Sequence, residues 1–415
     1  MSSATHTRAR SPERGASRQP SRGTGFRFLR LQQLVLLEVA AALLLIAWNR
    51  PLLAVAALPF ILFAVLRRRQ QPISEWISTA SALRHRQKLA KEPIPADIDP
   101  SLAPAVECDP ALRTSTYVAR DRRQIGMIGD GTFLTAVLQV QGTDSPLRPA
   151  RTERPLPVEL LHDTLTVDDI RLESVQIVLH TQPAPAPHLP QQSVAARSYA
   201  PLHEQSGAPA VRTTWVALKL HPELCPEAIE ARGGGLEGVQ RCLVRAVDQL
   251  SSRLTGAGFA AKALDESELA AAVATSACSN PMATTQAGRA NTSSRRTVET
   301  SRAWRCDDRW HTTYWMARWP QLGAGSTPLP QVVALLTSLP ALATTFSLTL
   351  SHASRNGSDL RAGAHVRITG RSDSELVDSR KTLERAARGV KVGLVRLDRE
   401  QVPGMLATLP LGGTR

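Results

Sequence analysis

The chain has 415 residues, 42% hydrophobic and 21% charged, with a net charge of +14. That balance belongs to a folded protein and excludes a chain disordered throughout. The basicity is concentrated near the start: residues 1–30 hold seven Arg against Glu13, residues 67–91 hold seven Lys or Arg against Glu75, and residues 92–415 keep only about +2. A nearly neutral body with 4% aromatics excludes a nucleic-acid platform.

In chain order, residues 1–25 are Arg, Ser, Pro, Gly and Thr and read as a disordered basic tail. Two apolar runs follow, Leu31 to Trp48 and Pro51 to Leu66, each close to the roughly 20 residues that cross a bilayer. Asn49-Arg50-Pro51 between them is a turn signal, with Pro suited to the first position of a new helix. A cleaved signal peptide is disfavoured, because apolar sequence continues for ten residues past Ala54-Val55-Ala56. Glu38 reads as a packing or interfacial residue of the first span. The expectation is a transmembrane hairpin over 26–70 in the cell's inner (plasma) membrane. Arg27 and Arg30 precede the two apolar runs and Arg67, Arg68 and Arg69 follow them, which places both termini in the cytoplasm. These arginines, with Trp76, are the expected membrane anchors, held against a bilayer with anionic headgroups.

Residues 71–110 read as a juxtamembrane helix and a Pro-rich linker. Ile73, Trp76, Ile77, Ala80 and Leu83 recur at near-helical spacing. Whether that helix lies on the membrane with Trp76 at the interface or simply leads into the next domain is left open. A first α+β unit is expected over 111–276. Apolar runs flank Gly129-Asp130-Gly131, a hairpin signal. A short helix is expected at 156–165, strands at "LESVQIVLHTQ" and 212–222, an amphipathic helix at 236–255, a strand near 257–264 and a helix near 266–276. The Pro-rich insert 182–210 is too polar for core, and 277–303 reads as a flexible loop. The second α+β unit, 304–400, spells β-α-β-β-α-β, the ferredoxin-like arrangement, before a tail at 401–415. The fold class expected is therefore α+β: a two-helix transmembrane hairpin, then a cytoplasmic α/β sandwich region whose last third is ferredoxin-like.

The sequence offers little chemistry. It has no phosphate loop, no nucleophile elbow and no H-E-x-x-H. Arg232-Gly233-Gly234-Gly235 reads as a loop leading into a helix rather than an anion cradle. Asp97 and Asp99 form a D-x-D in the linker, a solvated charge pair. Five cysteines, odd in number and without a C-x-x-C pair, give neither a disulfide framework nor a zinc site, and read as small buried hydrophobes. His162 and His311 read as structural. No catalytic, cofactor or metal residues are expected. The stretch that stands out is "WRCDDRWHTTYWMARWP", 304–320, with five aromatics in 17 residues. On a strand, Trp310, Tyr314 and Arg318 share one face and Trp315 and Trp319 the other. One face can pack under a helix and the other can meet a partner, so Trp310, Tyr314, Trp315, Arg318 and Trp319 form the candidate partner-binding set.

On the Arg-rich start, the apolar pair 31–66, the basic exit with Trp76, the hairpin "GMIGDGTFLTAVLQV" and above all "TYWMARWP" (313–320), the sequence resembles the EccE family, a membrane component of actinobacterial type VII (ESX) secretion systems. The resemblance implies a non-catalytic scaffold subunit that stabilises an inner-membrane machine beside EccB-, EccC- and EccD-like components, with ATPase activity residing in the EccC component. The competing expectation is a membrane-anchored enzyme, such as a sugar transferase using Asp97 and Asp99 with a metal.

Overall fold

The computed structural model describes residues 67–68, 71–92, 98–142, 155–183, 194, 197–198, 210–290, 294–320, 327–353 and 359–413. The expected spans, the basic tail and most of the 182–210 insert lie outside them. The chain divides into two compact units, Met1–Glu92 with Arg415, and Pro93–Thr414. In the first, β1 (Arg67–Arg68) pairs with β2 (Gln71–Pro72), and α1 (Ile73–Leu89) follows. Arg86 and Lys88 in its last turn complement the negative end of the helix.

Two parts of the expected fold class are corrected. Among the described residues no helix is long and apolar enough to cross a membrane, so the transmembrane hairpin has no support in the described fold. The longest helix among the described residues, Gly235–Gly256, is amphipathic: Val239, Leu243, Val247 and Leu250 are buried, while Glu237, Arg241 and Arg245 are on the solvent side. Nor is the α+β region a sandwich of separate units. Twelve strands form one antiparallel sheet that runs through both expected units.

The second compact unit opens with α2 (Ala103–Cys108), then β3 (Arg113–Val118), β4 (Gln124–Gly129) and β5 (Leu134–Gly142). Next come α3 (Val158–Asp163), the small β6–β7 hairpin (Thr166–Val167, Ile170–Arg171), β8 (Ser174–Pro183) and β9 (Ala210–Leu220). After α4 (Pro226–Glu230), α5 is the long helix Gly235–Gly256, followed by β10 (Phe259–Ala263) and α6 (Glu266–Ser276). Asp265 accepts from the Glu268 backbone N–H and Glu268 accepts in return, a capping box that fixes where α6 starts.

The same order is then repeated. α7 (Pro281–Ala290), β11 (Thr297–Glu299), β12 (Trp304–Cys306) and β13 (Arg309–Arg318) lead into α8 (Leu329–Thr337), β14 (Ala343–His352) and β15 (Leu360–Gly370). α9 (Asp373–Gly389), β16 (Gly393–Arg396) and α10 (Gln401–Leu406) complete it. In the first half β10, β5, β9 and β8 lie side by side; in the second, β16, β13, β15 and β14 do. Both are split β-α-β arrangements. β8 and β14 pair antiparallel over eight residues, so the halves meet about an approximate two-fold axis and share one sheet.

A hydrogen bond sets the equivalence of the halves. Leu264 N donates to Val137 O at 3.0 Å where β10 ends beside β5, and Leu397 N donates to Thr313 O at 3.0 Å where β16 ends beside β13. The sheet has two cores. On one face α3, α4, α5, α8 and α9 cover Leu138, Leu218, Val175, Phe346, Val366 and Tyr314. On the other, α2, α6 and α10 cover Ile128, Val137, Ala217, Trp215 and Trp304. Gly126 lies where α6 enters this second face: a Cβ there would meet the Asp265 carbonyl oxygen at 2.5 Å.

Candidate functional site

β13 carries most of the aromatic stretch and gives Tyr314 and Met316 to the first core. Tyr314 is 1% exposed, packs under α9 and donates to Glu384 Oε1 at 2.8 Å. Burial and that carboxylate push its phenol pKa upward. Trp310 is half-buried against the same core, with the Arg305 guanidinium 5.8 Å from its ring. Trp319 is half-buried and packs on that core too, while Arg318 is exposed and Trp315 is half-buried on the opposite face. Of the candidate set, then, Tyr314 belongs to the interior, and Trp315, Arg318 and Trp319 reach the surface.

The opposite face of β13 forms part of a polar floor. Thr313 lies beside Arg367 of β15, Arg367 beside Thr345 of β14, and Thr345 beside His180 of β8. His311 sits two residues from Thr313, between Trp304 of β12 and Thr369 of β15. His365 sits two residues from Arg367, beside Ser347. Arg367 and His311 are 0% exposed and His180 is 2% exposed. Arg367 Nη2 donates to the Ser276 carbonyl at the end of α6, and to Thr345 Oγ1 at 3.3 Å. The carbonyl end of a helix attracts a cation, yet among the described residues no carboxylate pairs with this guanidinium. Among the described residues its Nε and Nη1, His311 Nε2, His365 Nδ1 and Trp304 Nε1 have no hydrogen-bond partner.

The electrostatics follow from burial beneath α6 and α10. Desolvation brings the Arg367 pKa down to about 10, which still leaves it charged at neutral pH. Desolvation, then the fields of Arg367 and Arg309, hold His180 down at about 3 and His311 well below its ordinary value. Desolvation alone takes His365 to about 4. All three histidines are therefore neutral at pH 7. The nearby Cys306 thiol is pushed upward, mainly by burial, and stays protonated.

Two devices close this face. Glu107 of α2 accepts from Thr297 N and Thr297 Oγ1, both at 2.7 Å, and from Arg296 N; Arg296 makes a two-pronged pair with Asp307 at 2.7 and 2.8 Å. Residues 407–413 form a strap across the junction of β8 and β14. The Ala407 carbonyl accepts from Gln176 Nε2 at 2.9 Å and Ser347 Oγ at 2.8 Å, one from each half. Gly412 N donates to Gln176 Oε1 at 2.8 Å. Gly413 has φ 79° and lies so close to Thr349 that an added Cβ would come within 2.4 Å of its Oγ1.

With these elements in place, the stretch from the start of β9 into the aromatic strand can be compared with known families. Residues 208–316 match the EccE family. Its model is described as "Putative type VII ESX secretion system translocon, EccE". The EccE match runs from β9 through α5, α6 and α7 to Met316, and so contains Trp304, Trp310, His311, Tyr314 and Trp315. No curated protein matches the chain. Among solved structures, "alkyldihydroxyacetonephosphate synthase in P212121" aligns at 8% identity and a TM-score of 0.25 over 62% of this chain and 40% of that one. So distant a likeness bears on nothing here.

Of the other residues singled out from the sequence, Arg27, Arg30 and Arg69 lie outside the described residues. Arg67 and Arg68 form β1 and Trp76 lies in α1. Asp99 Oδ1 accepts from Ser101 N at 2.7 Å, a turn contact leading into α2. Arg232 holds Asp169 through Nη1 at 2.8 Å and Nη2 at 2.6 Å, and the following glycines open α5. Sequence reasoning missed Arg367, His365 and His180. The signal was present in "RAGAHVRITG", where polar and apolar residues alternate, but alternation alone reads as one face to core and one to water.

Proposed function

We propose that the protein is a structural subunit of a type VII (ESX) secretion complex at a membrane, where it stabilises the assembled machine without catalysing a reaction itself. The observation that carries this reading is the EccE match over residues 208–316. EccB-, EccC- and EccD-like components are its proposed partners, with ATP hydrolysis belonging to the EccC-like one. The surface end of the aromatic strand supplies the contact. Trp315, Arg318 and Trp319 combine ring area with an exposed guanidinium, the residue types that dominate binding hot spots. Tyr314 and Trp310 support that strand from beneath. A tagged full-length chain should purify with a large complex, and joint Trp315→Ala, Arg318→Ala and Trp319→Ala replacement should release it while leaving the chain folded. A complex of unchanged size and composition would count against the assignment of this face.

A further inference from the structure

The two halves occupy equivalent backbone positions with different chemistry on the α6/α10 face. Starting from Val137 and Thr313, the strand registers match Ala217 with Arg367, Trp215 with His365, Val178 with Ser347, and Ile128 with Trp304. The first half packs these positions with apolar side chains. The fold therefore does not need a guanidinium at Arg367. A buried cation that a fold does not need is costly to keep, because the charge has left water without a carboxylate to receive it.

Three of the side chains with unpartnered atoms can share one chemistry. Arg367 offers Nε and Nη1, and both are donors. Trp304 Nε1 is a donor only. His311 Nδ1 lies 2.9 Å from Thr369 Oγ1; when that hydroxyl donates to Nδ1, Nε2 becomes the N–H and joins the donor set. Trp304 and His311 meet at a tilt of 49° with ring centroids 4.8 Å apart, and His311 is diagonal to Arg367 on the same face. Among the described residues no carboxylate is bonded to any of the three. Donors around a fixed cation select an anion and repel a metal ion.

We propose that the closed floor of the second half binds one small oxyanion of the phosphate or sulfate class, held by Arg367 together with His311 and Trp304. The guanidinium supplies charge and two donor nitrogens, and α6 and α10 cover the face. Because Arg367 and His311 have no exposed surface, the ligand is a free inorganic ion and not the headgroup of a lipid whose tails remain in a bilayer. This site is independent of the EccE match.

The test uses the full-length chain, purified in chloride buffers that contain neither phosphate nor sulfate. Acid denaturation followed by ion chromatography should release inorganic phosphate or sulfate at one per chain. Once stripped and refolded in chloride, the chain should gain Tm as either ion is added at constant ionic strength, the gain following the logarithm of concentration. Arg367→Ala, which copies the first half, should fold, release no ion and show no gain. His311→Thr, copying Thr135, should fold and show a weakened gain, and it serves if Arg367→Ala does not fold. Wild-type protein that releases no oxyanion and gains no Tm would overturn the proposal, leaving water as the occupant. Equal gains in wild type and both variants, or phosphorus recovered only in an organic extract, would overturn it as well.

Discussion

The two halves of the sheet have the same strand order and the same pair of crossover helices, yet they treat one face differently. In the first half, Val137, Ala217 and Trp215 seal it with apolar surface; in the second, Thr313, Arg367 and His365 occupy the matching sites. The helical face is apolar in both, with Leu243 and Leu250 of α5 answered by Leu376 and Leu383 of α9. Apolar area leaves water on that common face in both halves alike. The other face is free to vary: the first half pairs its buried Lys219 with Glu173, and the second buries Arg367 without a carboxylate partner among the described residues. Both β13 and the EccE match end within that altered half.

The most severe way to break the comparison is to move the charge across. Ala217→Arg forces a guanidinium into a position that holds only a methyl group, beside Val137 and Gln176, and should cost about 3–5 kcal/mol in urea unfolding. A loss under about 1 kcal/mol would show that the halves tolerate charge equally. Breaking the closure of the second half comes next. Asp307→Ala leaves Arg296, whose side chain is only 7% exposed, without its carboxylate, and should cost about 3 kcal/mol by the same measurement.

Acid sharpens the contrast. The folded-state pKa of His180, His311 and His365 is depressed, so the unfolded chain takes up protons that the folded chain refuses. Stability is present in full above about pH 6.5 and falls as pH drops toward the folded values, by up to about 1.4 kcal/mol per pH unit for each histidine. Urea midpoints at pH 7 and pH 5 measure it. His365→Trp, which copies Trp215, should reduce the slope by one histidine's share, His352 being depressed as well, and an unchanged slope would contradict the assignment. Smaller still is Tyr314→Phe, expected to cost about 1 kcal/mol through the lost Glu384 bond.

Local signals in the sequence gave reliable elements. Asp265 and Glu268 mark the start of α6, and the apolar stripe of α5 and the alternation of β13, β14 and β15 are plain. α7 was hidden because 278–300 is rich in Ser, Thr and Asn, although Asn280 followed by Pro281 is a helix-start signal; Met282 N donates to Asn280 Oδ1 at 2.9 Å. The joining of β8 to β14 was not legible, since the paired residues lie about 170 positions apart and strand pairing at that distance leaves no local pattern. The polar floor was misread for a related reason. His365 and Arg367 look solvent-facing until α6 and α10 are known to lie over that face. The aromatic strand was found because five bulky rings in 17 residues stand out in this composition; which rings reach the surface depends on α9 and β16, and periodicity does not tell.

That β8 and β14 fuse the halves into one sheet is tested most directly by amide hydrogen exchange on the full-length chain. The fused sheet predicts that amides of Ile177, Val178, Phe346 and Leu348 exchange only with global unfolding, as slowly as those of β9 and β15. Exchange of the β14 amides that face β8 at the rate of an open sheet edge, while β15 stays protected, would contradict it.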